Sequence, residues 1–162
     1  MIDFNSIKVV AWDFDDTLCI HKRHDNVTVS ELEYRTGVTS NGKKWWNNSY
    51  KNETIEEFMK MCSKANMRQV LVSGCANSFV ANAKVDWVQE NYGVVLENFC
   101  VCSQKEKLMT LMAIAESMDL RYEEILIVDD YWMVLESLAN EGFQAATPME
   151  VVCYMNELKK GN

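Results

Sequence analysis

The sequence predicts an α/β fold, a Rossmann-like parallel sheet with helices on both faces and a small lid inserted after the first strand. Three observations predict it. Short apolar runs rich in Val and Ile alternate with segments of helical periodicity. Several of those runs stop abruptly at acidic or hydroxyl residues. One long polar stretch, 19–53, interrupts the alternation.

The first strand is expected over 8–13, an apolar run ending in Asp13. Over 54–66, Ile55, Phe58, Met59 and Cys62 fall at helical spacing, with Thr54 as the expected cap and Glu57 three residues on. The run RQVLVS at 68–73 reads as a strand closed by Gly74. A helix over 76–92 follows, with Gly93 placed to end it. Of two shorter extended candidates, 94–96 and 99–102, the second is expected to be the core strand. Leu108, Leu111, Met112 and Ala115 share one stripe of a helix over 105–118. A strand over 124–128 ends in Asp129-Asp130. A helix over 132–141 stops at Gly142, and a last strand over 143–146 precedes Pro148, the only proline, and a terminal helix over 149–160.

Right-handed crossovers would bring the strand ends at Asp13, Ser73 and Asp129 to one edge of such a sheet. Ligands of open α/β sheets bind at that carboxyl edge. The polar stretch 19–53 is too long for a bare loop inside a compact domain and is expected to form the lid, with a helix of its own near 28–36. The whole chain, 1–162, is read as one domain.

Composition narrows the function. At 162 residues and 48% hydrophobic, the chain can bury one substantial core. Its formal net charge is −8, without a cationic run, so long nucleic acid is not an expected partner. A small phosphorylated substrate is compatible if a metal ion and one or two lysines neutralise it locally. No export signal and no apolar run of the ~20 residues needed to cross a bilayer is visible, so a cytoplasmic protein without a membrane partner is expected. The six cysteines, scattered through apolar segments, are read as reduced thiols.

The sharpest local signal is Asp13-Phe14-Asp15-Asp16-Thr17-Leu18, directly after an apolar strand. Three acids in four residues at a strand end are costly unless a cation sits among them, and a hard divalent ion meets that need. A helix-capping cluster accounts for any one of these acids but not for the set. Ile125-Leu126-Ile127-Val128-Asp129-Asp130 repeats the pattern, an apolar strand ending in paired carboxylates. Alone it would suit a helix cap; on the same sheet edge as the first motif it suits a shared site.

These residues resemble the haloacid dehalogenase-like hydrolases over nearly the whole chain. The resemblance makes Asp13 the nucleophile and Asp15 the general acid/base. Ser73, followed by Gly74, matches the second motif, whose hydroxyl holds phosphoryl oxygens; Thr17 and Gly74 are placed with it at the substrate. Lys107 matches the third-motif lysine, with Lys105 as competitor. Asp129 and Asp130 match the acid pair that, together with Asp13 and the Asp15 backbone carbonyl, holds Mg2+. The implied function is a magnesium-dependent phosphomonoesterase acting on a small phosphorylated metabolite or nucleotide. Asp15 disfavours carbon–halogen cleavage, because the dehalogenase members lack an acid there. Rival readings are a nucleic-acid-end or protein phosphatase, a phosphotransferase, and a binding domain without turnover. Within the lid, Trp45-Trp46 is read first as packing and second as a stacking platform. His21 and His24, with Cys19, offer too few ligands for zinc.

Overall fold

The computed structural model describes residues 3–20, 49–101 and 103–161. The expected lid helix at 28–36, Trp45, Trp46, His21, His24 and Cys102 lie outside them. Five parallel strands form the main sheet: β1 (Val9–Trp12), β4 (Arg68–Leu71), β5 (Glu97–Asn98), β6 (Ile125–Val128) and β7 (Gln144–Ala146), in the order β5-β4-β1-β6-β7. Two further strands, β2 (Cys19–Ile20) and β3 (Tyr50–Lys51), pair antiparallel and close the two ends of the inserted segment. Five α-helices, α1 (Glu53–Lys64), α2 (Ser78–Tyr92), α3 (Gln104–Ser117), α4 (Trp132–Asn140) and α5 (Pro148–Gly161), and a short 3-10 helix (Tyr122–Glu124) complete the described fold.

The strand residues alternate between two cores, as their period of two requires. Val10, Trp12, Leu71, Leu126 and Val128 face α1, α2 and α5 through Phe58, Met59, Trp87, Val88 and Val151. Val9, Ala11, Val70, Ile125 and Ile127 face α3 and α4 through Leu111, Ile114, Val134 and Leu138. Helices thus cover both faces, and the near-continuous apolar strands reflect burial on both sides. Among the described residues, no helix is long and apolar enough to cross a membrane.

Two expectations need correction. The edge strand is Glu97–Asn98, not 99–102. The Asn98 side chain accepts the Cys100 N–H at 3.0 Å, and beyond the strand the Phe99 and Val101 N–H groups still donate to the Leu71 and Ser73 carbonyls, both at 2.9 Å, ending in a bridge between Gly74 and Val101. α1 is preceded by Asn52 rather than capped by Thr54, which lies inside the helix. Asn52 is held there from both sides, its N–H donating to the Tyr92 hydroxyl (2.8 Å) and its side-chain amide to the Thr17 carbonyl (3.1 Å).

Candidate active site

The register of the sheet builds the site. Trp12 lies level with Leu71 on one side and with Val128 on the other. The chain therefore leaves β1 and β6 at the same height, and Asp13 and Asp129 emerge side by side. The Asp13 N–H donates to the Val128 carbonyl at 2.9 Å, extending the ladder by one bond. The 14–19 loop then folds tightly, with the N–H groups of Leu18 (3.0 Å) and Cys19 (2.8 Å) both donating to the Phe14 carbonyl. Asp16 takes φ 54 within it, a left-handed conformation that Asp and Asn adopt far more readily than branched residues.

Lys107 reaches this point from α3, almost fully buried. Its ammonium donates to Asp13 Oδ1 at 2.7 Å and to Asp129 Oδ2 at 2.6 Å. Glu106, in the same turn, accepts the Ser103 N–H at 2.7 Å and fixes the start of the helix. The other Asp129 oxygen, Oδ1, accepts the Tyr131 N–H at 2.9 Å. Asp130 is more exposed, and the Thr17 hydroxyl lies 3.5 Å from its Oδ1.

Burial pushes the Asp13 carboxyl up to about 7; Lys107 pulls it down, while Asp129 and Asp15 push it further up. Burial also disfavours the Lys107 ammonium, but Asp13 and Asp129 together outweigh it and hold that lysine above its ordinary value. Asp130 is raised by burial and by the charge of Asp129. One lysine thus faces three converging carboxylates. Asp13, Asp129 and Asp130 each offer an oxygen within 4.8 Å of the others. An all-oxygen cluster with excess negative charge fits a hard divalent cation such as Mg2+.

No protein-family model and no curated protein matches the sequence. Solved structures do match its fold. The cobalt-bound deoxy-D-mannose-octulosonate 8-phosphate phosphatase of Haemophilus influenzae aligns at TM-score 0.54 and 16% identity, over 88% of this chain and 68% of that one. A hypothetical protein of Xanthomonas campestris aligns at TM-score 0.54 and 13% identity, over 88% of this chain. The fold is haloacid dehalogenase-like. This chain spans 64% of the Xanthomonas protein's length, and 35% of a Bacteroides fragilis chain, the N-terminal part of a protein, containing a phosphatase domain complexed with Mg (TM-score 0.52, 13% identity, 88% of this chain).

On this haloacid dehalogenase-like frame the remaining candidates separate. Ser73 is fully buried just beyond β4, where its Oγ accepts a hydrogen bond from Lys84 at 3.0 Å. The Gly74 carbonyl accepts another from the same ammonium at 2.7 Å. Thr17, expected at the substrate, is fully buried behind Asp130. Lys105 is exposed and stands apart from the carboxylates; with Leu108, Tyr131, Met133 and the stem of Lys107 it lines a groove of about 440 Å³ beside them. Sequence reasoning missed Lys84. Its ammonium lies 2.6 Å from Asp15 Oδ2, and the residue is 1% exposed. The available signal was its position: Lys84 falls on the buried stripe of α2, between Val80 and Trp87-Val88, where an unpaired lysine would be costly.

Proposed function

We propose that this protein is a magnesium-dependent phosphomonoester hydrolase that forms an aspartyl-phosphate on Asp13. The observation that carries the reading is the Asp13 carboxylate at the carboxyl edge of the central strand, bonded to Lys107 and converging with Asp129 and Asp130. Lys107 occupies Asp13 Oδ1, which leaves Oδ2 to attack phosphorus. As the Oδ2–P bond forms, the bond from phosphorus to the leaving oxygen breaks, and Asp15 delivers a proton to that oxygen. Asp15 then takes a proton from water as the water oxygen bonds to phosphorus. The Asp13–P bond breaks, releasing inorganic phosphate and restoring both acids. Ser73 orients the phosphoryl oxygens, and Lys107 offsets charge that spreads over them.

Mg2+ would be held by the carboxylates of Asp13, Asp129 and Asp130 and by the Asp15 backbone carbonyl, and would offset the repulsion between the anionic nucleophile and the phosphate. Thr17 steadies Asp130 by its hydroxyl. The groove beside Lys107 combines aromatic and apolar walls with the Lys105 ammonium, which suits the organic half of a small phosphorylated metabolite or nucleotide. The Haemophilus neighbour being a phosphatase supports the chemistry but does not supply the substrate.

Hydrolysis of 4-nitrophenyl phosphate tests the reading. Turnover is expected with Mg2+, is lost with chelator, and falls by at least about 10³-fold in Asp13→Asn, as expected for removal of a nucleophile. Undiminished turnover in Asp13→Asn would overturn it.

A further inference from the structure

We propose that Lys84 is a positioning residue for the acid/base step, holding Asp15 and Ser73 at a fixed spacing through one ammonium group. The inference rests on the hydrolase reading above and extends it to a residue outside the motif set.

Burying a lysine is costly unless its charge and its N–H groups are met. Here both conditions hold. The ammonium has three N–H donors, and among the described residues it reaches Asp15 Oδ2 at 2.6 Å, Gly74 O at 2.7 Å and Ser73 Oγ at 3.0 Å. The Phe14 ring closes another side, its centroid 5.0 Å from Nζ, and Trp87 packs edge-on against that ring at 5.3 Å. Phe14 is the neighbour of Asp13, and Trp87 lies one turn beyond Lys84 on α2, so ring packing and ion pair fix the same approach of helix to loop.

The two buried lysines divide the site between the faces of the sheet. Lys107 comes from α3 on one face and holds Asp13 and Asp129. Lys84 comes from α2 on the other and holds Asp15 and Ser73. In the proposed reaction, Ser73 holds the transferring phosphoryl group and Asp15 must meet the oxygen leaving it. A single ammonium bound to both sets the distance between them. A proton donor misplaced by about 1 Å forfeits much of its contribution.

The role predicts a loss that depends on the leaving group. 4-Nitrophenolate departs with little help from an acid, whereas an alkoxide needs the proton. For Lys84→Met, kcat/KM should fall at least about tenfold further on an alkyl phosphate such as glycerol 2-phosphate than on 4-nitrophenyl phosphate. Asp15→Asn should show the same selectivity, and Asp15→Asn/Lys84→Met should lose little beyond Asp15→Asn alone. Lys84→Gln, which keeps side-chain N–H donors, serves the same comparison if the methionine variant does not fold. Equal losses on both esters, or additive losses in the double variant, would overturn the role of Lys84 while leaving the hydrolase intact. Wild type inert on both esters, or Asp13→Asn fully active, would instead overturn the hydrolase reading on which the role rests.

Discussion

Asp13 carries two conflicting demands: it is buried, yet the proposed reaction needs it ionised. Burial with Asp129 and Asp15 nearby raises its carboxyl from an ordinary 3.8 to about 7. The folded metal-free protein therefore holds a proton that the unfolded chain releases at lower pH. That preference contributes stability fully below about pH 4 and loses it as pH rises through about 7. Mg2+ must displace the same proton, so its apparent affinity should be weaker at pH 5.5 than at pH 8. Thermal melts with and without Mg2+ check this: the rise in Tm should be clearly larger at pH 8. Asp13→Asn should shrink the difference, with Asp130, raised in the same sense, keeping part of it. Equal Mg2+ shifts at both pH values would contradict the account. At this scale the acids were legible because carboxylates that end apolar strands need a physical reason. Lys84 was not, because a lysine on a helix ordinarily extends its stem along the surface and keeps its charge in water.

At the scale of elements, helices were read more accurately than the edge of the sheet. Helical stripes such as Leu108, Leu111 and Ala115 repeat over many residues and survive an error of one or two at the ends. β5 is two exposed residues, with Arg68 salt-bridged to Glu97 across the strands and the Asn98 side chain accepting the Cys100 N–H, none of which a hydrophobic pattern encodes. Glycine punctuation was more informative. Gly93 ends α2 at φ 68, and its N–H donates to the Gln89 carbonyl at 3.0 Å. A Cβ there would meet no neighbour within 4 Å, so the cost of Gly93→Ala is conformational alone. We expect a loss of about 1 kcal/mol, or roughly 2–4 °C in Tm. Because α2 carries Lys84, the melt should be compared with turnover at 25 °C, which the change should leave near wild type. An unchanged Tm would contradict the assigned backbone conformation.

Across the whole molecule, a chain of net charge −8 draws two lysines, Lys84 and Lys107, inside to face the acids at its carboxyl edge. The two lysines offset part of the acids' charge and a divalent cation would offset the rest, so a phosphate could be received without a basic surface that would attract long nucleic acid. Among the described residues no two cysteines form a disulfide, and burial pushes the Cys19, Cys62 and Cys100 thiols up to about 12. The inserted segment enters and leaves through the β2–β3 pair beside the first motif, and Lys51 is salt-bridged to Glu56 of α1 at 2.5 Å. Its polar, aperiodic sequence gave no pattern from which to read a substrate contact. The proposed function turns on covalent transfer of the phosphoryl group to Asp13. Mixing the enzyme with a 32P-labelled phosphomonoester, quenching in acid within a turnover and mapping the peptides tests it most directly. Hydroxylamine-labile label is expected on the peptide that contains Asp13 and is expected to be absent in Asp13→Asn. Full turnover with no labelled protein, or label retained in Asp13→Asn, would contradict it.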